Sequence, residues 1–189
     1  AEAAAAFSLA IARLSPDDHA AWRLYYSRGV AYERAHDWAR AEPDLMRAAA
    51  LAPDNPAVLN YLGYAWADIG QHLRQARQML DRAAAVRPDD GAIIDSLGWV
   101  KLRQDDIAGA VAALERAVEL LPEDPVVNAH LGDAYWAAGR HLEAEYQWRR
   151  ALTLNPKPDI VARLKSKLDE AEARPAHNAS AQAQLPQQN

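Results

Sequence analysis

The feature that most constrains this chain is an internal repeat with a period of 34 residues. Residues 60–91, 95–125 and 129–159 align with one another, and one repeat is stretched to 35 residues. Each repeat carries a glycine, an alanine twelve or thirteen positions later, a large apolar residue, a second alanine and a proline. The four sets are Gly29, Ala41, Leu45, Ala48 and Pro53; Gly63, Ala76, Leu80, Ala83 and Pro88; Gly98, Ala110, Leu114, Ala117 and Pro122; and Gly132, Ala144, Trp148, Ala151 and Pro156.

This spacing of small and large residues predicts a helical hairpin in each repeat. Two helices approach closely only where one contributes almost no side chain, and the large residue four positions further on fills the adjacent groove. The predicted helices span roughly residues 19–35, 38–52, 56–69, 73–86, 91–103, 107–120, 125–138 and 141–154.

Short polar and glycine-containing segments punctuate these helices. An N-cap acceptor followed by proline starts a helix at Asn55 and at Asp124. Gly70 and Gly139 permit the tight turn inside two hairpins, and Asp105 with its neighbour Asp106 fills that place in a third. The same signals therefore separate one hairpin from the next.

The pattern resembles the tetratricopeptide repeat (TPR), whose consensus places W, L, G, Y, A, F, A and P at fixed positions in 34 residues. The resemblance covers Trp22 to Pro158. Departures are Arg28 at a leucine position, Lys101 at the aromatic position, and the extra residue in the second repeat. The last repeat matches at Leu131, Gly132, Tyr135, Ala144, Trp148, Ala151 and Pro156.

The resemblance implies an all-α fold, a right-handed superhelical solenoid of TPR hairpins (an α-α superhelix) without strands. We expect TPR 1 at 19–55, TPR 2 at 56–90, TPR 3 at 91–124 and TPR 4 at 125–157. The remaining segments are predicted as the second helix of a truncated preceding repeat at 1–18, a capping helix at 158–173 and a disordered tail at 174–189. The chain is thus expected to be part of a longer array.

Charge and motif content argue against several classes of function. The net charge of −5 argues against a nucleic-acid binder, and no apolar stretch is long enough to span a bilayer. The six histidines include no pair at metal-ligand spacing, and there is no cysteine, nucleophile elbow or phosphate loop. We therefore predict no catalytic residue, no metal, no cofactor and no small-molecule substrate.

By resemblance to the family, the first helix of each repeat lines a concave groove that binds a protein or an extended peptide. Aromatic rings beside carboxylates and amides suit such a segment. Tyr32, Trp66 and Tyr135 occupy the consensus packing position instead. The predicted binding residues are Tyr26, Arg34, Asn60, Tyr64, Asp68, Asp95, Trp99, Arg103, Asp133 and Trp136, with His130 at the groove margin.

Two consequences follow for the partner. Replacing Trp99 and Trp136 together is expected to weaken binding while leaving the helical core largely intact. Asp95 and Asp133 on the same face favour a basic segment. The lysine and asparagine with which some TPR domains capture a chaperone's C-terminal carboxylate are absent, since Tyr26 and Val30 hold the first of those places.

A narrower resemblance links the segments "LGYAWAD", "PDDGAIIDSLGWVKLRQ" and "AHLGDAYWAAGR" to the C-terminal arrays of bacterial envelope TPR lipoproteins. Such proteins can act as adaptors that present substrates to a carboxyl-terminal processing protease, which favours the periplasm or outer membrane over the cytoplasm. Two alternatives stay open: a structural array that self-associates through its N-terminal end, with Phe7, Leu9 and Leu14, and a regulatory region of a larger enzyme.

Overall fold

The computed structural model describes residues 2–14 and 18–174, and every regular element in these two ranges is helical. Beyond Arg174, the predicted C-terminal tail lies outside the described residues. A short 3-10 turn, His19–Ala21, precedes α2. The described ranges contain ten α-helices: α1 (Glu2–Ile11), α2 (Trp22–Arg34), α3 (Trp38–Leu51), α4 (Pro56–Ile69), α5 (Leu73–Val86), α6 (Gly91–Arg103), α7 (Ile107–Leu120), α8 (Pro125–Ala137), α9 (His141–Thr153) and α10 (Pro158–Glu172).

The helices pack as successive hairpins in a right-handed solenoid, which confirms the predicted fold class. The strongest helix pairings are α2 with α3, α4 with α5, α6 with α7, and α8 with α9. Neighbouring hairpins are joined twice, because α5 contacts α6 while α4 also contacts α6. The same two kinds of contact, α7 with α8 and α6 with α8, continue the stack. The first helices therefore lie side by side along one face.

Local sequence signals set the ends of these helices. The side-chain oxygen of Asn55 accepts hydrogen bonds from the backbone N–H groups of Ala57 at 3.0 Å and Val58 at 3.3 Å. Asp124 plays the same part at the start of α8. Gly70 has a φ of 73°, and Asp105 reaches the same left-handed region at 61°. The predicted caps and turns are thus present.

The small residues of the repeat bring paired helices together. A Cβ atom added at Gly63 would lie 2.8 Å from Leu80 Cγ and 3.2 Å from the Ala76 carbonyl oxygen. The first-position alanines Ala41, Ala76, Ala110 and Ala144 are fully buried. Each hairpin therefore closes where one helix offers no side chain and the other offers leucine or, in the last repeat, tryptophan.

Arg28 stands at the consensus leucine position of the first repeat, where its guanidinium group is hydrogen-bonded. Its guanidinium donates to both carboxylate oxygens of Asp44, from Nε at 2.6 Å and Nη2 at 2.7 Å, and to Ser8 Oγ at 3.0 Å. The hydrogen bonds to Asp44 raise the pKa of Arg28 despite partial burial. This bidentate pair ties α2 to α3 and also to α1.

The described helices at the two ends of the stack differ in how they pack. At the C-terminal end, α10 packs on α9 and buries Ile160, Leu164, Leu168 and Ala171. At the other end, α1 contacts α2, and its assignment to a truncated repeat stays a prediction. Within the described ranges, each helix is too short or too polar to cross a membrane.

Candidate partner-binding groove

The predicted binding residues lie on the first helices of the hairpins, α2, α4, α6 and α8, and we call the face of this row of helices the groove. Contacts between aromatic rings join these helices, in addition to the packing of their backbones. Tyr26 on α2 meets Tyr61 on α4 edge to face, with ring centroids 5.4 Å apart. Tyr64 on α4 lies 6.2 Å from His130 on α8. Aromatic side chains therefore run along the groove from one repeat to the next.

A pocket of about 360 Å³ opens at the C-terminal end of this groove, where α6, α8, α9 and α10 meet. We call it the C-terminal pocket. Its walls are mainly apolar, with three indole rings among them, and its polar groups come from α8 and α10. The lining residues are Trp99, Leu102, Asp133, Trp136, Ala137, Trp148, Lys167 and Glu170.

Trp136 is the half-buried ring at the centre of this wall. Its ring centroid lies 5.2 Å from that of Trp148 and 4.4 Å from that of His141, and both pairs are tilted. The guanidinium carbon of Arg174 lies over the same indole at 5.0 Å. Trp136 is thus partly exposed in the pocket wall while its neighbours fix the ring, and its role in binding stays a prediction.

Asp133 reaches the pocket but is not a free carboxylate. It accepts hydrogen bonds from Trp148 Nε1 at 2.9 Å and from Lys167 Nζ. The Lys167 ammonium also lies 5.6 Å from the centre of the Trp148 ring. One residue of α10 therefore neutralises the acid that the sequence had assigned to a basic partner.

Asp95 and His130 form a buried pair beneath the groove. His130 Nδ1 lies 2.9 Å from Asp95 Oδ1 and 3.1 Å from Oδ2, and the His130 ring is 1% exposed. The sequence predicted His130 at the margin and Asp95 on the surface. Both lie inside instead, because imidazole and carboxylate satisfy each other and can be buried together.

Trp99 covers this pair. Its indole stacks on the His130 ring with centroids 4.3 Å apart and an interplanar angle of 16°, and only 8% of the residue is exposed. The sequence placed Trp99 with Trp136 on the binding surface. Trp99 belongs to the hydrophobic core and contributes only part of its ring to the pocket wall. Its Nε1 atom is buried without a hydrogen-bond partner.

Burial and charge act in opposite directions on His130. Removal from water lowers its pKa, but the charge and hydrogen bond of Asp95 raise it by more, with a smaller contribution from Asp133. The net shift is upward, which favours the imidazolium. Arg163 of α10 opposes this shift, and its charge also lowers the pKa of Tyr64, which burial and the charge of Asp68 hold above its usual range.

The middle of the groove carries the remaining predicted residues of α4 and α6. Asn60 is half-buried, and its Oδ1 atom has no hydrogen-bond partner. Asp68 and Arg103 are exposed; Arg103 Nη1 donates to the Asp68 backbone carbonyl at 2.8 Å. The Arg103 guanidinium carbon lies 5.8 Å from the centre of the Trp99 ring. These residues link the two ends of the groove.

A second pocket of about 500 Å³ lies at the N-terminal end. The predicted residues Tyr26 and Arg34 both line it. Tyr61, also in the wall, donates its hydroxyl to Glu33 Oε2 at 2.9 Å. Burial raises the pKa of Tyr26, and Arg34 opposes the shift. The complete lining is Phe7, Tyr26, Ser27, Val30, Ala31, Arg34 and Tyr61.

Sequence reasoning missed the contribution of the second helices and of α10. Trp148 occupies a consensus packing position, so the repeat pattern gave no sign that one edge of its ring lines the pocket. Lys167 and Glu170 belonged to a helix read only as a cap. The charges one turn apart on α10 were visible in the sequence, but their approach to the groove depends on how α10 docks.

No group of three or more histidine, cysteine, aspartate or glutamate side chains in residues 2–14 and 18–174 is arranged to hold a metal ion. Fold and groove together define the class: a helical-hairpin solenoid with an aromatic groove.

Comparison with known proteins supports the repeat assignment. The tetratricopeptide repeat family matches residues 101–168 of this chain. With the helical hairpins and the 34-residue period, this match shows tetratricopeptide repeats in that part of the chain.

The chain is similar to the TPR repeat-containing protein PA4667 of Pseudomonas aeruginosa, with 39% identity over 110 residues. The match covers 58% of this chain but only 18% of the relative's length.

Solved structures share the fold at lower identity. PilW, a type IV pilus biogenesis factor, is 20% identical with a TM-score of 0.72, covering 98% of this chain and 86% of PilW. MamA from Desulfovibrio magneticus RS-1 is 22% identical with a TM-score of 0.65, covering 87% of this chain and 90% of that chain.

Proposed function

We propose that this chain is a noncatalytic scaffold whose groove binds an extended segment of a partner protein. The observation that carries the proposal is the C-terminal pocket, in which the half-buried Trp136 is held at an accessible wall by Trp148, His141 and Arg174. A fixed, partly exposed indole offers a large apolar contact at little cost in conformational entropy. A ring placed this way typically anchors a protein interface.

The predicted binding residues act in two ways under this proposal. Tyr26, Arg34, Asn60, Asp68, Arg103 and Trp136 contact the partner directly. Asp95, Trp99 and His130 shape the floor from below, and Asp133 fixes Lys167 and Trp148 at the pocket rim. Tyr64 joins the two groups through its contact with His130.

The test uses the full-length protein as bait with two matched variants. Trp136→Ala removes the proposed anchor, whereas Tyr146→Ala removes an exposed aromatic ring from α9 outside the groove. The wild type and Tyr146→Ala should capture the same proteins from a lysate of the source organism. The amount captured by Trp136→Ala should be lower by about tenfold or more. Equal capture by all three baits, with melting temperatures unchanged, would place the interface elsewhere.

We infer further that the protein works in the bacterial envelope as an adaptor, including the role of presenting substrates to a protease. The repeat segments resembling envelope TPR lipoproteins support this location, as does the likeness to a pilus biogenesis factor. Fractionation of cells expressing the full-length protein, with periplasmic and cytoplasmic markers, tests the location. Recovery with the cytoplasmic marker alone would contradict it.

A second candidate function is self-association, which the exposed apolar surface of α1 favours. Leu9 is 67% exposed on that helix. Sedimentation over a concentration series, with Leu9→Glu as the comparison, tests this function: association that the substitution abolishes supports it, and a monomer at every concentration excludes it. The third alternative, a regulatory region of a larger enzyme, stays open.

A further inference from the structure

The charges around the C-terminal pocket are not those that the sequence suggested. The two acids predicted to attract a basic segment are already neutralised within the protein. Asp95 is buried against His130, and Asp133 is bound by Lys167. A partner that approaches the groove therefore meets neither carboxylate as a free charge.

The cations at this end of the groove are less fully engaged. In the described part of the chain, Arg103, Arg163 and Arg174 have no carboxylate partner within ion-pair distance. Arg103 and Arg174 lie over the Trp99 and Trp136 rings, so their charges sit at the pocket wall. Each guanidinium keeps several N–H donors for an external acceptor.

Arg163 extends this cationic rim along α10. It lies one turn before Lys167, on the same face of the helix, and Lys167 reaches the pocket. Its side chain is exposed, and its charge lowers the pKa of Tyr64 and of His130 on the other helices of the groove. Arg163 therefore faces the groove and not the opposite surface.

The carboxylates still available near the pocket are fewer. Glu170 lines it and accepts a hydrogen bond from Ser166, and Asp68 lies further along the groove. Three unpaired cations thus face two carboxylates, although the whole chain carries a net charge of −5. Near the C-terminal pocket, guanidinium groups without a carboxylate partner therefore outnumber the carboxylates of Glu170 and Asp68.

We propose that the C-terminal pocket takes a large apolar side chain from an acidic segment of the partner, whose flanking carboxylates bind Arg163, Arg174 and Arg103. This inference rests on the proposed groove function and gives it a ligand chemistry. The indole walls receive the apolar side chain, and the guanidinium groups receive carboxylates in a planar, two-donor geometry.

The first experiment measures the binding of short peptides to the full-length protein by isothermal titration calorimetry. Each peptide is acetylated and amidated so that its ends carry no charge, and each has a central leucine. Glutamates flank the leucine in one peptide, glutamines in the second and lysines in the third. We expect the glutamate peptide to bind about tenfold more tightly than the glutamine peptide at low salt, with the advantage shrinking as salt is added.

Matched variants then locate the contact. Arg163→Gln combined with Arg174→Gln should remove most of the advantage of the glutamate peptide, taken as the ratio of its affinity to that of the glutamine peptide for the same variant. The control, Arg82→Gln with Arg116→Gln, removes the same charge from exposed arginines on α5 and α7. It should leave the advantage intact. Arg103 is kept in both because it also braces the Asp68 backbone.

The outcomes separate this inference from the function on which it rests. Equal or tighter binding of the lysine peptide would overturn the acidic ligand while leaving a peptide-binding groove in place. Loss of the glutamate advantage in the control pair would also overturn it, because the effect would then come from net charge. Binding of none of the peptides, or self-association abolished by Trp136→Ala, would overturn it as well. Only the lysate capture with Trp136→Ala decides the groove function.

Discussion

His130 carries its charge inside the helical stack, so its protonation is coupled to folding. Its pKa in the folded protein is raised above the unfolded value of about 6.5 by Asp95, after burial has partly opposed the shift. The stability that this pair contributes is therefore fully present below about pH 6.5. It is lost as the pH rises through the folded-state pKa.

We predict that the advantage of the wild type over His130→Gln in urea unfolding is largest at mildly acidic pH and declines toward alkaline pH. A nuclear magnetic resonance titration of the imidazole should place its pKa above that of the unfolded chain. An advantage that grows with increasing pH would mean that Asp95 does not hold the imidazolium.

The tryptophans test which rings are packing and which are available for binding. Trp66 and Trp99 are both buried, and Trp66 Nε1 donates a hydrogen bond to Glu42 Oε1 at 2.7 Å. Replacing either tryptophan with alanine should therefore lower the free energy of unfolding by about 3–5 kcal/mol. Trp136 is half-buried, and Trp136→Ala should cost less than about 2 kcal/mol. Chemical denaturation of the three variants measures these costs. A Trp136→Ala cost equal to that of Trp66→Ala would make Trp136 a core ring.

At the scale of elements, the hairpin of α6 and α7 depends on Gly98. A Cβ atom added there would lie 2.9 Å from Leu114 Cδ2 and 3.3 Å from the Leu114 backbone nitrogen. Gly98→Leu should therefore force the two helices apart and cost about 1–3 kcal/mol or more in the free energy of unfolding.

The matched control is Ala112→Leu, which adds a side chain of similar bulk at an exposed position of α7. Thermal unfolding of both variants should show a lower melting temperature for Gly98→Leu alone. Equal melting temperatures would contradict the close contact between the helices.

At the scale of the whole molecule, stability is distributed along the stack because each hairpin packs mainly against its neighbours. Leu164 of α10 is fully buried against the last hairpin, so Leu164→Ala should cost about 2–5 kcal/mol. Hydrogen exchange should reveal lost protection mainly in α8, α9 and α10, with α2 and α3 little changed.

Lys165→Ala on the exposed face of the same helix is the control and should leave exchange unchanged. Uniform loss of protection from α2 to α10 after Leu164→Ala would show that the array unfolds as one cooperative unit.

The sequence by itself determined the hairpins, their order, their caps and the residues that pack them. These features repeat every 34 residues and depend on local rules: a glycine opposite a leucine, an asparagine or aspartate before a proline, a left-handed turn. It also predicted Trp136 as a binding residue, because position within the repeat fixes which side of its helix a residue occupies; the structure places this ring in a pocket wall, and the binding role stays a prediction.

Only the tertiary structure decided which charged groups meet. His130 pairs with Asp95 at a separation of 35 residues, and Lys167 reaches Asp133 across 34. Each contact spans one repeat and depends on how far a particular side chain reaches between stacked helices. Periodicity brings such positions near each other but does not say whether a carboxylate there is buried, paired or free. The charge of the groove toward a partner was therefore set by packing.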